Sequence, residues 1–348
     1  MFNRRRFLNA GAAALAAPFV LRAGRAQAAE FEFKLHHLLG PKAPAHTKML
    51  APWAAGIEQA SGGRVKIEIY PAMSLGGTPP QLFGQVRDGV VDLIWTVNGY
   101  TAGLFPRSEV FELPTVFTNN IVATNLAMRE MFAQHLQEEY RDVHVCFLHV
   151  HAGQAIHMAE TPVHHPADLK GKKLRVPGPT GITVIQQLDA VPVPMPVSDL
   201  PQALTTHAVD GALIPWEIIP ALKLQDSTKY QIEGENNWRL GTTTFQVSMN
   251  KARWNALPDD LKAVFDKASD EAWLKQVGEI WRGSDDAGIK IAVDSGNEHI
   301  VLTHDETEEF SAALAPVVDK WVAASSSKRI DGKTLVETAR ATIAKYST

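Results

Sequence analysis

Between residues 31 and 214 the spacing of apolar residues alternates between a period of two and a period of 3.6, and this alternation restricts the possible folds more than any other feature. Residues 44–61, for example, have helical spacing and end at the glycine pair 62–63, a C-cap signal. The strand-like segments are 31–38, 64–70, 92–97, 142–150, 172–176, 191–195 and 209–214, and the helix-like segments are 44–61, 76–89, 120–140, 180–188 and 199–207. Such βαβ repetition predicts an α/β fold with open, largely parallel sheets.

The pattern becomes helical after Pro258. A long helix is expected from Asp259 to about Ala292, followed by shorter helices over 306–324 and 332–346. About 320 residues remain when an N-terminal leader is set aside. One hydrophobic core rarely holds so many residues, so we expect two lobes.

The first 28 residues have the organisation of an export signal. Arginines at positions 4–6 precede an apolar run over 10–21, and small residues at 26–28 form a cleavage site. The run is too short to span a bilayer, and the arginine pair followed by Phe-Leu favours the Tat route. We therefore expect cleavage after Ala28 and a periplasmic mature chain.

Charge and cysteine content exclude several classes of partner. Residues 1–28 contain five arginines and no acid, so their removal shifts the net charge from −4 to −9. Nucleic acid and anionic membrane surfaces are poor partners for such a chain. The single cysteine, Cys146, cannot form an internal disulfide and is interpreted as a core residue.

No catalytic or metal-binding motif is visible. His149 and His151 would share one face of a strand, as two metal ligands could, but no acidic or sulfur ligand lies at suitable spacing. The glycines at 76–77 lack the lysine of a phosphate-binding loop, and there is no Gly-x-Ser-x-Gly motif. The sequence therefore predicts no metal, no cofactor and no enzyme activity.

Three large side chains lie at the carboxyl ends of predicted strands. Arg175 ends one strand before the turn at 177–179, Trp216 follows a second strand and Trp95 ends a third. Open α/β sheets bind ligands in the crevice at these strand ends. A guanidinium offers a rigid fork of donors that matches a carboxylate, so we expect Arg175 to bind one.

Several short motifs, in order along the chain, resemble one family. They are Ser61-Gly62-Gly63-Arg64, Tyr70-Pro71 with Leu75-Gly76-Gly77, the run from Val86 to Asp92, Glu112-Leu113-Pro114, the run from Asp168 to Pro177, and Ala208-Val209-Asp210-Gly211. The chain resembles the extracytoplasmic solute receptors of TRAP transporters, in the group named after C4-dicarboxylate uptake. The resemblance covers about residues 31–268.

The resemblance implies a two-lobed periplasmic binding protein fold with a long inter-lobe helix. One lobe would combine residues 29–152 with 240–279, and the other 153–239 with 280–348. Arg175 falls on the arginine that clamps the ligand carboxylate in this family. The implied partners are a small organic acid and the small and large membrane subunits of the transporter, with uptake driven by an ion gradient.

The chain also departs from the sialic-acid branch of the family. Where that branch has polar side chains around the sugar, this sequence has Leu38, Gly77, Val97, Ala155 and Ile214. Ala155 stands at the place of a second arginine. These departures predict a compact, largely apolar monocarboxylate, namely a 2-oxo, 2-hydroxy or aromatic acid. The candidate binding residues are Arg175, Trp216, Glu217, Trp95, Asn98, Gln154, His157 and Gly178.

Two alternatives stay open at this point. A C4-dicarboxylate receptor could use His157 or Lys34 in place of the second arginine. A receptor of the same fold could instead report its ligand to a signalling partner. Both a monomer and a dimer are compatible with the sequence.

Overall fold

The computed structural model describes residues 29–347, so the predicted signal peptide lies outside the described residues. The strands are β1 (Phe31–His37), β2 (Val65–Tyr70), β3 (Leu93–Val97), β4 (Val143–Val150), β5 (Ala155–Met158), β6 (Lys173–Val176), β7 (Val191–Pro194), β8 (Gly211–Ile214), β9 (Tyr230–Glu233), β10 (Thr244–Asn250) and β11 (Glu298–Val301). The α-helices are α1 (Ala51–Ala60), α2 (Leu82–Arg87), α3 (Ile121–Met131), α4 (Pro179–Gln187), α5 (Leu200–Thr205), α6 (Ile218–Leu222), α7 (Lys251–Asn255), α8 (Asp259–Ala268), α9 (Glu271–Asp294), α10 (His304–Leu314), α11 (Pro316–Ser327) and α12 (Gly332–Tyr346).

All seven predicted strands are present, and each predicted helical segment of the α/β part contains a helix. Four further strands, β5, β9, β10 and β11, were not predicted. β10 alternates polar and apolar residues from Thr244 to Asn250, so its sequence carried a usable strand signal, although the whole strand is buried. β5, β9 and β11 have four residues each, and none of them is an uninterrupted apolar run like that of β8.

The strands form two sheets. The first has the order β2-β1-β3-β10-β4, and the second has the order β11-β9-β5-β8-β6-β7. β10 runs antiparallel to β3 and β4, and β5 runs antiparallel to β8 and β9, whereas the other pairs are parallel. Each sheet is therefore mixed rather than purely parallel.

The two reversed strands follow the points where the chain passes from one sheet to the other. β4, in the first sheet, leads within a few residues to β5 in the second, and β9 returns the chain to β10 in the first. The strand from which the chain leaves one sheet ends at the edge that faces the crevice. The strand with which the chain enters the other sheet begins at that edge. β5 and β10 therefore run opposite to their neighbours, and the carboxyl ends of the remaining strands collect at the crevice.

A long helical stretch connects the two halves, as expected, but it consists of two helices. α8 ends at Ala268, and α9 begins at Glu271 because the Asp270 carboxylate caps it, accepting a hydrogen bond from Trp273 N at 3.1 Å. α9 packs against α3 on one side and against α6 on the other. The expected single helix from Asp259 is thus corrected to a short helix followed by the inter-lobe helix α9.

The last helix departs from the proposed division into lobes. Residues 280–348 were placed with the second lobe, whereas α12 packs against α3, next to the first sheet. Lys345 Nζ and Tyr346 Oη both donate to the Glu130 carboxylate at 2.6 Å, and Arg340 Nη2 donates to Thr115 Oγ1 at 2.9 Å. The apolar face of α12 includes the buried Leu335. The sequence pattern shows that this face is buried but does not indicate the lobe against which it packs.

None of the helices within residues 29–347 is both long and apolar enough to cross a membrane.

Candidate ligand-binding site

A cavity lies at the crevice edge, with walls from both sheets. The first half contributes residues that follow β1, β3 and β4, together with β10 and α9, and the second half contributes residues that follow β6 and β8. The lining residues are Leu38, Leu39, Trp95, Val97, Tyr100, His151, Gln154, Arg175, Pro177, Val197, Pro215, Glu217, Ile218, Thr243, Phe245 and Trp281. Most of them are apolar or aromatic, as in sites for small organic ligands.

Arg175 supplies the positive charge of the cavity. It lies in β6, which pairs in parallel with β7 and β8 and is followed by Pro177, a residue without a backbone N–H. Its side chain is buried and donates three hydrogen bonds: Nε to Met195 O at 3.0 Å, Nη1 to Leu213 O at 3.4 Å and Nη2 to Tyr100 Oη at 3.2 Å.

All three acceptors of Arg175 are neutral. Within residues 29–347 Arg175 forms no salt bridge, unlike the other buried arginine, Arg239. Burial lowers the pKa of Arg175, but a guanidinium stays protonated in proteins. A buried charge without a counter-ion is costly, so the cavity favours an anion beside this group.

Tyr100 connects the two walls of the cavity. It follows β3 in the first half, and its hydroxyl accepts hydrogen bonds from Arg175 and from Val197 N, the latter at 2.8 Å, in the second half. Both lone pairs of the hydroxyl are thereby used, and its proton is left to donate. Tyr100 can therefore hold the two halves together and donate to a ligand carboxylate.

Aromatic rings with nearly parallel planes form one wall. The planes of Trp95 and Phe245 differ by 2° with ring centroids 5.2 Å apart, and Trp281 is inclined by 20° to Phe245 at 5.9 Å. Trp95 Nε1 donates to His149 Nε2 at 2.9 Å, and burial lowers the pKa of His149 to about 3, so this ring is neutral. Parallel rings of this kind favour a flat, apolar ligand.

His151 and Gln154 add polar atoms to the lining. Gly153 N donates to His151 Nδ1 at 2.9 Å, and burial lowers the pKa of His151 well below its usual range. The neutral ring therefore carries its proton on Nε2. Gln154 Nε2 donates to Thr243 Oγ1 at 2.6 Å, while Gln154 Oε1 is buried without a partner.

Glu217 follows β8 and is 5% exposed. Its Oε2 is buried without a hydrogen-bond partner, and the carboxylate forms no ion pair with any residue of the described chain. Burial, with the nearby Asp285 carboxylate, raises the pKa of Glu217 well above its usual range. Burial therefore favours the protonated carboxylic acid, a form that can both accept and donate a hydrogen bond.

A buried ionic cluster lies behind Glu217. Asp285 of α9 accepts a hydrogen bond from Arg239 Nη2 at 2.9 Å and another from Trp216 N at 2.9 Å. Arg239 also forms an ion pair with Glu233 of β9. The cluster ties the segment after β8 to the inter-lobe helix and so fixes the position of Glu217.

Four of the eight residues proposed from the sequence line the cavity: Arg175, Trp95, Gln154 and Glu217. The other four do not. The chain turns at residues 216–217 before α6, and here Pro215 and Glu217 line the cavity, whereas Trp216 does not. Its ring packs at 4.9 Å from His157 and at 4.8 Å from His299 instead.

Asn98, His157 and Gly178 lie near the cavity without lining it. Asn98 Nδ2 donates to Tyr140 Oη at 2.8 Å and to Thr244 Oγ1, so its amide serves the interior of the first half. His157 packs beneath Trp216, with Nε2 3.2 Å from Ile214 O.

Gly178 is a contact between the two halves. A Cβ atom at Gly178 would lie 2.9 Å from Gly99 Cα, which is backbone of the first half. Only the absence of a side chain allows the two chain segments to approach this closely.

Several lining residues were not recognised from the sequence, chiefly Tyr100, Phe245 and Trp281. Tyr100 follows the same strand as Trp95, so its position was a usable signal. Phe245 and Trp281 had none, because β10 and α9 reach the cavity only through the tertiary fold. Of the apolar replacements noted above, Leu38 and Val97 line the cavity, whereas Gly77, Ala155 and Ile214 do not.

The described residues hold no group of three or more His, Cys, Asp or Glu side chains arranged to bind a metal ion. His151, one of the pair tested above, is instead engaged by Gly153 N and Thr242.

Proteins of known structure share this architecture. A solute-binding protein from a marine metagenome, described as specific for aromatic acid ligands and crystallised with 3-hydroxybenzoate, is 37% identical, with a TM-score of 0.89 over 92% of this chain and 100% of that one. A TRAP solute-binding protein from Rhodoferax ferrireducens T118, in complex with copurified benzoate, is 38% identical, with a TM-score of 0.88 over 91% of this chain and 98% of that one.

Sequence relatives lead to the same group. The protein y4mM of Sinorhizobium fredii is 30% identical over 323 residues, and the match covers 91% of this chain but only 57% of that relative. The family model described as bacterial extracellular solute-binding protein, family 7, also named DctP, matches residues 35–325. The chain therefore belongs to the DctP family of TRAP solute-binding proteins.

Proposed function

We propose that this protein is the extracytoplasmic receptor of a TRAP transporter and binds an aromatic monocarboxylate. The observation that carries the proposal is the unpaired, buried guanidinium of Arg175 in a cavity walled by parallel aromatic rings. The ligands of two relatives, 3-hydroxybenzoate and benzoate, have the same combination of one carboxylate and one flat ring.

Binding then requires no chemistry on the ligand. The carboxylate accepts hydrogen bonds from Arg175 and Tyr100, and the ring lies against Trp95, Phe245 and Trp281. The bound ligand contacts both halves only in the closed arrangement, so binding shifts the population toward closure. The empty protein disfavours that arrangement because it buries the Arg175 charge without a counter-ion.

The lining does not favour the alternative ligands. Arg175 is the only charged cation among the lining residues, since burial keeps His151 neutral. The proposed substitutes for a second arginine are elsewhere: Lys34 has its place on β1 outside the lining, and His157 is buried with a pKa lowered to about 3. A C4-dicarboxylate would leave its second carboxylate without a cation, and a sugar acid would set hydroxyls against Leu38 and Val97.

The remaining features of the proposal follow from the family. The chain acts outside the cytoplasm, reached through the predicted signal of residues 1–28, with Tat as the proposed route. It delivers its ligand to the small and large membrane subunits, and it is not an enzyme. The signalling receptor of the same fold would bind the same ligand and differ only in its partner.

Binding and turnover can be tested together. Mass spectrometry of ligand released from the purified protein, followed by calorimetry with benzoate, 3-hydroxybenzoate, mandelate, pyruvate, succinate and malate, should find tight binding of the aromatic acids. The acids should be recovered intact after incubation. Preferential binding of succinate or malate would contradict the proposal, and formation of a product would show an enzyme.

A further inference from the structure

We propose that Glu217, assisted by Gln154, selects ligands that carry a hydroxyl group on the aromatic ring, in addition to the carboxylate bound by Arg175. The preferred ligand class is thus a hydroxylated aromatic monocarboxylate. This inference rests on the proposed function and assigns the specificity of the same cavity to named residues.

Arg175 and Glu217 lie at different places in the cavity lining. Glu217 and Arg175 both line it, yet they form no ion pair with each other. Arg175 lies in β6 with its hydrogen bonds directed to Met195, Leu213 and Tyr100. Glu217 follows β8 and lies against the Asp285–Arg239 cluster. A ligand whose carboxylate is bound by Arg175 therefore meets Glu217 with another part of its ring.

Two polar side-chain atoms at the cavity lack hydrogen-bond partners. Glu217 Oε2 and Gln154 Oε1 are both buried, and neither has a hydrogen-bond partner within residues 29–347. The Gln154 amide is oriented by the bond from its Nε2 to Thr243 Oγ1 at 2.6 Å, which leaves the oxygen as the free end. Buried acceptors without donors are rare in folded proteins and destabilising, so these two atoms indicate a missing donor.

A hydroxyl group on the ligand ring has the chemistry of the missing donor. The rest of the lining near Glu217 is apolar, with Pro215 and Ile218 on either side of it in sequence, and Trp216 turned away. A ring hydroxyl offers one donor and two acceptor positions, and it carries no charge into this apolar region. Unsubstituted benzoate would leave both oxygens unpaired. In its protonated form, which burial favours, Glu217 can also donate a hydrogen bond to the hydroxyl oxygen.

The segment that carries Glu217 is held rigidly against α9. Trp216 N donates to Asp285 at 2.9 Å, and Asp285 is held by Arg239. The close approach of Gly288 to Trp216 O fixes the same segment against α9. A site held in place in this way distinguishes ligands better than a mobile loop, because it cannot relax around a missing hydroxyl.

The test is the ratio of two affinities rather than either affinity alone. Calorimetry should be carried out with benzoate and with the three hydroxybenzoate isomers, on the wild type, Glu217→Leu, Glu217→Gln and Gln154→Leu. In the wild type the preferred isomer should bind about tenfold more tightly than benzoate, as expected for one well-placed hydrogen bond. Glu217→Leu should reduce the ratio to about 1, Gln154→Leu should reduce it in part, and Glu217→Gln, which keeps an acceptor oxygen, should preserve most of it.

Ile218→Val is the matched control, because it removes one methylene from the same part of the lining and contains no polar group. It should weaken all four ligands alike and leave the ratio unchanged. Thermal melts of the ligand-free variants establish that each one is folded, and Glu217→Gln provides a readout if Glu217→Leu does not fold.

The possible results distinguish a failure of the proposed function from a failure of the proposed hydroxyl selectivity. A wild type that binds no benzoate-type acid overturns the proposed function and this inference together. A wild type that binds benzoate as tightly as every hydroxybenzoate leaves the proposed function standing and overturns the inference. An unchanged ratio in Glu217→Leu overturns the assignment to Glu217.

Discussion

Arg175 combines a burial that is destabilising for the empty protein with the carboxylate-binding role proposed above. Its guanidinium is buried with two carbonyl oxygens and one phenol oxygen as its acceptors. Such partners satisfy donors without neutralising the charge. The free energy that the empty protein loses by burying this charge is regained when a carboxylate binds.

Replacement of Arg175 by Met should therefore change affinity and stability in opposite directions. We expect the affinity for an aromatic carboxylate to fall by at least about 2–3 kcal/mol, or roughly 30- to 150-fold, because the charged hydrogen-bonding partner is lost. We expect the melting temperature of the ligand-free protein to rise, because an apolar side chain of similar length replaces an unpaired charge. Calorimetry and thermal melts measure the two quantities.

Lys173→Ala, an exposed cation on the same strand, serves as the control and should alter neither quantity. Retained affinity in Arg175→Met would show that the carboxylate binds elsewhere.

Tyr100 is a second residue whose importance became visible only in the structure. Its hydroxyl accepts from Arg175 Nη2 at 3.2 Å and from Val197 N at 2.8 Å. Tyr100→Phe should weaken ligand binding by about 1 kcal/mol, or roughly fivefold, because both donors lose their acceptor when the halves close.

Isothermal calorimetry with benzoate can measure this effect. Tyr230→Phe removes a hydroxyl for which no hydrogen bond is found within residues 29–347, and it should leave the affinity unchanged. Equal effects of the two variants would argue against a closing contact at Tyr100.

At the scale of elements, the start of α4 limits how closely the two halves approach. Gly178 precedes this helix with φ −178, an ordinary extended conformation, so its backbone alone does not require glycine. The requirement comes from Gly99, whose Cα would lie 2.9 Å from an added Cβ. Both partners are backbone, so no side chain can move aside.

Gly178→Ala should therefore weaken binding without destabilising the open protein. A methyl group at this position obstructs the closed arrangement, and the apparent affinity falls in proportion to the closed population. We expect a loss of about tenfold in ligand affinity, with an unchanged melting temperature in the absence of ligand. X-ray scattering should show a smaller decrease in radius of gyration on ligand addition.

Gly84→Ala, with nothing within 4 Å of the added Cβ, is the control for Gly178→Ala. Wild-type affinity in Gly178→Ala would mean that the ligand-bound protein does not bring residues 99 and 178 together.

The inter-lobe helix α9 depends on a close approach of its own. A Cβ at Gly288 would lie 2.1 Å from Trp216 O, whereas a Cβ at Gly283, on the same helix, would meet nothing within 4 Å. Gly288→Ala should destabilise the protein by about 1–3 kcal/mol through overpacking against backbone. Gly283→Ala should stabilise it by about 0.5–1 kcal/mol through helix propensity.

Urea denaturation of both variants tests this pair of expectations. The essential result is that the free energy of unfolding falls in Gly288→Ala and rises in Gly283→Ala. Two variants shifted in the same direction would show that α9 does not pack against the Trp216 segment as described.

For the whole molecule, buried carboxyl groups make the stability depend on pH. Burial raises the pKa of Glu112 to about 7, although its carboxylate accepts hydrogen bonds from Thr244 N at 2.9 Å and Thr244 Oγ1 at 2.7 Å. The folded protein thus binds this proton more tightly than the unfolded chain, whose glutamates titrate near 4.3. The resulting stability is fully present below about pH 4 and is lost as the pH rises through 7.

Glu112→Gln should remove this pH dependence, because the amide keeps the acceptor oxygen and does not titrate. The free energy of unfolding of the variant, relative to the wild type, should increase by about 2 kcal/mol between pH 5 and pH 8. Because all other groups titrate alike in both proteins, their contributions cancel in the difference between the two free energies of unfolding. Denaturation curves at both pH values measure it, with the exposed Glu138→Gln as control. Parallel pH profiles of Glu112→Gln and wild type would contradict the raised pKa.

The sequence by itself determined the α/β class and seven of the strands, predicted two lobes from the chain length, and led to the carboxylate-binding role that we propose for Arg175. These features depend on local periodicity and on short motifs, which are properties of neighbouring residues. Arg175, Trp95 and Glu217 were found for the same reason, since each follows or ends a strand that its own pattern reveals.

Only the tertiary structure decided the rest. Phe245 and Trp281 reach the cavity because β10 is inserted between β3 and β4 and because α9 crosses between the halves. The tertiary structure also decided that Glu217 lines the cavity and that Trp216 does not. It further showed that the last helix, α12, packs against α3. Contacts between residues distant in sequence carry no local signal, because a sequence pattern reports only the relation between neighbouring residues.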